Sequence, residues 1–358
     1  MTTGLDGIVA AETVLSAVDG AAGRLVLRGR PLEAVAGRLT FEEVAALLWQ
    51  GFEPLADAPD GLRAALGRGR TYAFATGLPL LERTDILPPT EGLRLMLAGL
   101  DEAAAPVPPA VLAVSATAVF TALIGRRRAG GDPVRPDPAR GTAADILAML
   151  SGRAPDPARA RALDTYFSTV ADHGLNASTF TARVVASTRA GMMDSVIAAL
   201  SALKGPLHGG APGPVLDMLD AVGRPERAEG WVADRLAAGE RLMGFGHRIY
   251  RTRDPRADVL KRALDGVASP YQALADAVEA AALAQLAAKK PGRPLETNVE
   301  FYTALVLDAA GLPRALFTPA FAVGRAAGWA AHVMEQQATG RLIRPESRYV
   351  GPVAEEAA

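Results

Sequence analysis

Cysteine is absent from this chain of 358 residues, which excludes disulfide bonds, thiolate catalysis and cysteine-ligated metals. Histidine is scarce as well. The four histidines are His173, His208, His247 and His332, and no two of them have the spacing of a metal-binding pair on one helix. The sequence therefore predicts no metal site.

Long runs of one charge are missing too. The chain has 38 Lys and Arg residues against 39 Asp and Glu residues, a formal net charge of -1, and no basic block of the kind that binds nucleic acid or anionic lipid. No run of about 18 uninterrupted apolar residues appears, and the first residues lack a basic head before an apolar stretch. We therefore expect a cytoplasmic protein that binds neither nucleic acid nor membrane.

Helical patterning is what the chain has in abundance. Residues 40–51 begin with a capping box formed by Thr40 and Glu43, carry apolar residues at helical spacing and stop at a glycine. Further segments with helical spacing are 109–128, 158–175, 178–203, 271–290 and 320–338. The one convincing extended piece, residues 23–29, is short and bounded by glycines, which predicts at most a small hairpin. The predicted fold class is all-α with a minor N-terminal β-hairpin.

Two features refine this picture. Residues 111–123 are apolar on most of the helix circumference, which indicates a deep core or a subunit interface. Residues 129–141 and 205–214 are rich in proline and glycine. The first stretch is typical of a surface loop, and the second, which contains a histidine, is where we place a domain boundary.

The segment 244–256 (GFGHRIYRTRDPR) is the first candidate for chemistry. His247 follows Gly246, where backbone N–H groups are able to approach a ligand closely. Nine residues later, Arg256 stands in an Asp-Pro-Arg turn, and an arginine grips a carboxylate bidentately. The segment predicts a site for a small anionic substrate. The alternative is a basic surface loop with an Asp–Arg pair.

His208 lies in the glycine- and proline-rich stretch, before a predicted helix start near Pro214. A helix N-terminus disfavours added positive charge, so it favours the neutral imidazole, which donates a hydrogen bond to a developing enolate. The alternative is a histidine with a role in the turn alone.

Residues 297–300 (TNVE) allow two interpretations. Thr297 and Glu300 fit a capping box, with Thr297 as the N-cap. Alternatively, Glu300 is a general base, because the start of a helix keeps a carboxylate in its first turn ionised. The segment alone does not decide between the two.

Seven segments together resemble the citrate synthase family, in that family's order and spacing and over nearly the whole chain. They are residues 4–13, 172–180 (DHGLNASTF), 205–210 (GPLHGG), 244–247 (GFGH), 254–256 (DPR), 298–302 (NVEFY) and 324–329 (GRAAGW). The resemblance implies a mostly helical homodimer that closes over its substrates. Its large domain, for dimerisation and oxaloacetate binding, would comprise residues 1–209 plus 313–358. An inserted small domain on the CoA side, residues 210–312, would supply the catalytic base.

The same resemblance implies a condensation of an acyl-CoA with a 2-oxo dicarboxylate, followed by thioester hydrolysis and without a cofactor. His208 would stabilise the enolate and His247 would protonate the keto oxygen. The oxaloacetate-binding residues would be His173, His247, Arg256, Arg325 and Arg344, the last lent across the dimer interface. The residues near CoA would be Leu242, Met243, Gly244, Gly246, Arg251 and Asn298, with Phe321 beside the acyl group. His332 is left with a structural role.

One position departs from the family. Its usual base is an aspartate in Asn-Val-Asp-Phe, whereas Glu300, one methylene longer, stands here. Because the other polar positions are intact, we expect an active citrate synthase with Glu300 as its base. Two alternatives stay open: a 2-methylcitrate synthase that uses propionyl-CoA, and a catalytically weak paralogue that serves as a binding or assembly protein.

Overall fold

The structure is a computed structural model that describes residues 7–206, 208–209, 212–247, 249–289 and 295–351. The described chain is mainly helical, and this confirms the predicted all-α fold class. Its α-helices are α1 Phe41–Trp49, α2 Pro59–Gly77, α3 Pro89–Ala98, α4 Pro109–Arg128, α5 Thr142–Ser151, α6 Pro157–Val170, α7 Ala177–Ser187, α8 Met192–Leu203, α9 Pro212–Val222, α10 Ala228–Ala237, α11 Pro255–Ala263, α12 Gln272–Lys289, α13 Val299–Ala309 and α14 Phe317–Thr339. Short 3-10 turns lie at Leu32–Ala34, Pro54–Asp57, Leu78–Thr84, Pro225–Arg227 and Arg314–Leu316.

A small sheet precedes the helices. Its strands are β1 Ser16–Asp19, β2 Arg24–Leu27 and β3 Arg30–Pro31, all antiparallel and in chain order. The predicted hairpin is therefore incomplete, because a third strand follows the second. A tight turn at Arg28 and Gly29, both with positive φ (48° and 78°), reverses the chain and allows that pairing.

Helix α4 forms the centre of the core. Every residue from Ala110 to Gly125 is buried, and the helix packs against α2, α3, α5 and α14. It is the one helix of the described chain that is long and apolar enough to cross a membrane, but 89% of that apolar window is buried inside the protein. Of the two predicted places for this segment, core or subunit interface, the structure puts it in the core.

Two predicted helices differ from those observed. The segment 178–203 is two helices, α7 and α8, which pack against each other. Arg189 has a φ of 68° and Gly191 caps α8, so the chain turns between them. Helix α6 ends at Val170, five residues early, and Gly174 follows with a φ of 63°. By contrast, the capping box of α1 is as predicted, with reciprocal hydrogen bonds between Thr40 and Glu43.

The remaining packing brings distant parts of the chain together. Helix α6 contacts α11, α13 and α14, and α14 also contacts α7. Residues from these helices line one cleft. The division into residues 1–209 plus 313–358 and residues 210–312 stays a prediction. Gly210, at its boundary, and Arg248, next to His247, lie outside the described residues.

Candidate active site

One cleft of about 910 Å³ collects most of the predicted site residues, although they come from positions up to 152 residues apart in sequence. The predicted residues that line it are His173, His208, Gly246, His247, Arg256, Asn298, Glu300, Phe321 and Arg325. Among the described residues, no group of three or more His, Asp or Glu side chains is arranged to hold a metal ion.

Arg256 enters the cleft from the first turn of α11. Its guanidinium donates to both carboxylate oxygens of Asp254, over 3.0 and 2.8 Å, and both residues are buried. Asp254 is the N-cap of α11 and also accepts the Val299 N–H, 3.1 Å away, which joins α11 to α13. Burial would raise the pKa of Asp254, but the Arg256 charge and hydrogen bonds hold it below its usual range. The Asp–Arg pair exists, but it lies inside the cleft instead of on a surface loop.

Arg325 projects from the middle of α14. Its Nε donates to the Val170 carbonyl over 2.6 Å, and the side chain is 1% exposed. Burial lowers the pKa of Arg325 to about 10, against the opposing effect of Asp172, so the side chain stays cationic near neutral pH. With Arg256 it gives the cleft two buried positive charges, which suits a dianionic ligand.

His247 is a neutral hydrogen-bond donor. Its Nδ1 accepts the backbone N–H groups of Ile249 and Tyr250, at 3.0 and 3.1 Å, so the ring proton is on Nε2. Nε2 lies 3.2 Å from Nη2 of Arg256, which is also a donor. Burial and the Arg256 charge lower the pKa of His247 to about 4. An oxygen atom to one side of this pair, at hydrogen-bonding distance from both nitrogens, would accept from both.

His208 is neutral for similar reasons. Burial and the Arg325 charge lower its pKa to about 4. Its Nε2 lies 2.9 Å from the Ser178 hydroxyl, which accepts the Trp329 indole N–H over 3.1 Å. The Ser178 hydroxyl also lies 2.8 Å from Asn176 Oδ1, which accepts two backbone N–H groups as the cap of α7. When the single hydroxyl proton is donated to His208 Nε2 instead of to Asn176, the neutral His208 ring carries its own proton on Nδ1.

Glu300 lies in the first turn of α13, but the predicted capping box is wrong. The N-cap is Asn298, whose side chain accepts the Glu300 N–H over 3.0 Å. Thr297 instead donates its hydroxyl proton to Glu279, over 2.6 Å, so a tertiary contact removes it from the cap.

The electrostatics of Glu300 also differ from expectation. The start of the helix was expected to keep the carboxylate ionised, but burial raises the pKa of Glu300 to about 7, with Arg256 opposing the shift and Asp254 adding to it. Within the described chain the carboxylate has no hydrogen bond and no ion pair. Desolvation therefore outweighs the helix end. A carboxyl group that titrates near neutral pH is suited to removing a proton.

The segment before His247 is held close to α13. Gly244 and Gly246 have φ values of 84° and 81°, and Phe245 forms an antiparallel bridge with Thr297. A Cβ on Gly244 would lie 2.7 Å from the Cβ of Phe301, so only glycine fits there. Asn298 fastens the segment, because its Nδ2 donates to the Gly246 carbonyl over 2.7 Å.

The other predicted residues lie off the cleft. The Leu242 side chain is buried in the core, and Met243 and Gly244 precede the cleft-lining part of the segment. Arg251 lines a narrow crevice beside the cleft, and its backbone N–H donates to Gly20. Arg344 is exposed in the segment after α14 and does not line the cleft of its own chain.

Sequence reasoning gave no role to two tyrosines of this region, Tyr166 in the cleft and Tyr250 in the narrow crevice beside it. The Tyr250 hydroxyl lies 3.0 Å from His173 Nε2, and its ring centroid is 4.8 Å from that of His247. Burial and the Arg256 charge hold the pKa of His173 well below its usual range. Tyr166, on α6, lines the cleft directly. Tyr250 is within the segment 244–256, whereas no motif singled out Tyr166.

A second buried polar cluster lies close to the cleft, and we call it the Arg183 cluster. It consists of Ser16, Asp172, Arg183, His332 and Glu335. His332 bridges Arg183 and Asp172, at 2.9 and 3.2 Å, and is fully buried. This position agrees with the structural role predicted for His332.

Comparisons with known proteins agree with one another. The family described as "Citrate synthase, C-terminal domain" matches residues 4–346. "Putative citrate synthase 2" of Mycobacterium tuberculosis is 40% identical, over 98% of this chain and 92% of the relative. "2-methylcitrate synthase" of the same species is 37% identical, over 97% and 90%. "Citrate synthase" of Haloferax volcanii is 36% identical, over 97% and 95%.

Solved structures give the same result. The crystal structure of citrate synthase from Thermotoga maritima has a TM-score of 0.85 and 34% identity, and the match covers 100% of this chain and 98% of that one. A ternary complex of citrate synthase from Thermoplasma acidophilum with carboxymethyl coenzyme A and oxaloacetate has a TM-score of 0.84 and 25% identity, with coverages of 98% and 96%.

Proposed function

The chain belongs to the citrate synthase family and is an acyltransferase of that type, and on this premise we propose that it condenses acetyl-CoA with oxaloacetate and hydrolyses the citryl thioester to citrate and CoA. One observation carries the proposal. A partly buried carboxyl group with a pKa raised to about 7, Glu300, shares a cleft with two neutral imidazoles and two buried arginines.

Oxaloacetate binds first in this proposal. Arg256 and Arg325 hold its carboxylates together with His173. The keto oxygen lies to one side of the His247 Nε2 and Arg256 Nη2 pair, which are 3.2 Å apart and both donate, at hydrogen-bonding distance from each. A single oxygen in this position accepts from both donors and becomes polarised by both. No cofactor takes part.

Proton transfer and carbon–carbon bond formation follow. The Glu300 carboxylate removes a proton from the acetyl methyl group, and His208 Nδ1–H donates to the thioester oxygen on which negative charge develops. The enolate carbon then attacks the keto carbon of oxaloacetate. The electron pair of the keto carbonyl moves to its oxygen, which takes the proton from His247 Nε2. Water then adds its hydroxide to the thioester carbonyl and returns its other proton to the deprotonated His247 ring. The carbon–sulfur bond breaks, and the CoA thiolate leaves as the thiol with the proton that Glu300 had removed.

The neutrality of both imidazoles supports these roles. A cationic His208 would give up its proton to the enolate oxygen outright, whereas a neutral ring donates a hydrogen bond and stabilises the charge. The pKa near 7 makes Glu300 a stronger base than an exposed carboxylate while leaving a large share of it ionised near neutral pH.

We also propose a cytoplasmic homodimer in which Arg344 reaches the cleft of the partner subunit. The exposure of Arg344 and its distance from the lining of its own cleft support this. Light scattering of the purified wild type and of Arg344→Gln measures the molar mass, and calorimetry measures oxaloacetate binding. The variant should stay dimeric and bind oxaloacetate more weakly. A monomeric wild type would contradict the proposal.

A second candidate reaction uses propionyl-CoA and yields 2-methylcitrate. The 37% identity to a relative named 2-methylcitrate synthase favours it. The two reactions share every residue above and differ by one methylene in the acyl pocket beside Phe321, a difference of about 1–3 kcal/mol in transition-state binding. Comparing kcat/KM for acetyl-CoA and propionyl-CoA separates them.

The first test is release of free thiol from acetyl-CoA in the presence of oxaloacetate. We expect release that requires both substrates. If oxaloacetate raises the unfolding temperature while neither acyl-CoA releases thiol above background, the enzyme proposal fails, and the chain is instead a binding or assembly protein.

A further inference from the structure

The Tyr166 hydroxyl is a buried polar group without a partner. Tyr166 is fully buried on α6, and its oxygen has no hydrogen bond within the described residues. Only one other side chain of the described residues shares this condition, Ser168, on the same helix. An unsatisfied buried hydroxyl costs about 1–3 kcal/mol, so its presence calls for a reason.

The surroundings of Tyr166 and Ser168 differ. Tyr166 lines the cleft, whereas Ser168 does not. Tyr166 also lies one helical turn before Val170, the residue whose carbonyl accepts from Arg325. The tyrosine is therefore on the cleft wall next to the fixed end of an anion-binding arginine.

The neighbouring charges define what the hydroxyl binds. Burial chiefly raises the pKa of Tyr166 above its ordinary value, with Arg325 opposing, Glu300 reinforcing and Arg256 opposing the shift. The phenol therefore keeps its proton and acts as a donor. Neither arginine has an acceptor for that proton. An anionic group bound by the two arginines would supply the missing acceptor.

We propose that the Tyr166 hydroxyl donates a hydrogen bond to a carboxylate oxygen of the 2-oxo dicarboxylate held by Arg256 and Arg325. Tyr166 is then a substrate-binding residue for the condensation. The inference rests on the proposed function, because it takes its ligand from that reaction. It explains why the hydroxyl is retained in a position where the chain itself leaves it unsatisfied.

The test is a matched pair of hydroxyl deletions, Tyr166→Phe and Ser168→Ala. The dissociation constant for oxaloacetate is measured by calorimetry on the full-length protein without CoA, and the unfolding temperature is measured without ligand. A hydrogen bond to a charged group is worth enough that Tyr166→Phe should weaken binding about tenfold or more. Ser168→Ala should leave binding unchanged. Neither variant should have a lower unfolding temperature than the wild type.

The outcomes separate this inference from the proposed function. If the wild-type protein does not bind oxaloacetate, both fail. If the wild type binds it and releases thiol but Tyr166→Phe has the same dissociation constant, only the inference fails. Suppose instead that Tyr166→Phe leaves oxaloacetate binding unchanged, lowers kcat and shifts the acid limb of the pH profile. This result would indicate that the hydroxyl donates to the Glu300 carboxylate, and it would overturn the inference. Equal weakening by Ser168→Ala would overturn it too, because that result indicates a packing effect of α6.

Discussion

Helix α14 carries two buried polar residues two turns apart, Arg325 and His332, and their surroundings differ. In the Arg183 cluster each donor meets an acceptor: His332 lies between Arg183 and Asp172, and Arg183 also pairs with Glu335 over 2.5 Å. Around Arg325 the described residues supply one hydrogen-bond acceptor for the guanidinium, the Val170 carbonyl. Groups that are paired within the chain stabilise the fold, and groups left unpaired are available to a ligand.

One carboxylate from each region shows the same contrast. Burial would raise the pKa of Asp172, which is fully buried, but His332 and Ser16 hold it below its usual value. Glu300 is only partly buried, yet its pKa rises to about 7, because Arg256 opposes the desolvation only in part and no group of the described chain donates to the carboxylate. The less buried carboxylate therefore has the raised pKa, and the hydrogen-bond partners decide the direction of the shift.

The largest expected effect is on turnover. Glu300→Gln keeps the shape of the side chain but removes the base, so kcat should fall about 10³- to 10⁴-fold while oxaloacetate binding stays within about twofold of the wild type. Thiol release and calorimetry measure the two quantities. Turnover that survives the substitution would remove Glu300 from the role of base.

Glu300→Asp is the control for this experiment, since it restores the residue usual in the family. On the proposal that Glu300 is the base, the backbone is set for the longer side chain, so aspartate would place the carboxylate about 1 Å away, which costs on the order of a hundredfold in rate. We expect a kcat between those of the wild type and Glu300→Gln. A kcat above the wild-type value would mean that the backbone is already set for aspartate.

The second effect is a difference in the free energy of unfolding between a substitution in the Arg183 cluster and one in the cleft. Arg183→Met leaves Glu335 and His332 buried without their donor, so the free energy of unfolding should fall by about 3–5 kcal/mol. Arg325→Met removes a cation whose pKa burial has already lowered to about 10, so stability should change by no more than about 1 kcal/mol while oxaloacetate binding is lost. Denaturant unfolding at one protein concentration compares them. Equal losses of stability would contradict the proposal that the paired charges of the Arg183 cluster stabilise the fold and those of the cleft do not.

The third effect is a pH dependence that belongs to Glu300. The pKa of its carboxyl is 4.5 in the unfolded reference and about 7 in the fold, so the native state holds the proton more tightly. The stability of the wild type should therefore be greatest relative to Glu300→Gln below pH 4.5, decline as the pH rises to about 7, and stay level above that. The total change is on the order of 3 kcal/mol. Asp164, also raised to about 7, contributes equally to both proteins.

The same titration should appear in catalysis. Turnover of the wild type should fall as the pH drops below about 7, because protonated Glu300 cannot act as a base. Unfolding curves and initial rates over this range measure both effects. Parallel stability curves for the wild type and Glu300→Gln would show that the carboxyl is not desolvated as the structure indicates.

Local sequence predicted what local forces determine. The Thr40–Glu43 capping box involves residues of one helical turn, and the structure contains it. The Thr297–Glu300 box failed because Glu279, 18 residues earlier, takes the Thr297 hydroxyl. Sequence spacing contains no information about such a competitor.

The residues of the candidate site also fall into two groups, those that a local motif marks and those that only tertiary packing brings together. Short motifs identified His208, His247 and Glu300, because glycine-rich turns and helix starts leave a signature in the sequence. Tyr166 and the contact between His173 and Tyr250, which are 77 residues apart, left none. Both depend on how α6 packs against the α11 region, and the raised pKa of Glu300 depends on the same packing.

The smallest expected effect concerns Ser178, which belongs to neither region alone. Its hydroxyl accepts from Trp329 on α14 and lies 2.9 Å from His208 Nε2. In the proposed mechanism the Ser178 hydroxyl donates to Nε2 and thereby keeps the ring proton of His208 on Nδ1. In Ser178→Ala this donor is lost, so a share of the His208 rings will have an unprotonated Nδ1 next to the thioester. One hydrogen bond of this kind is worth about 1 kcal/mol, which predicts a kcat about five- to tenfold lower with an unchanged oxaloacetate dissociation constant. Ser178→Thr, which keeps a hydroxyl, should recover much of the loss. If Ser178→Ala weakens oxaloacetate binding and leaves kcat unchanged, the hydroxyl serves the shape of the cleft wall, and the orientation of His208 must depend on other contacts.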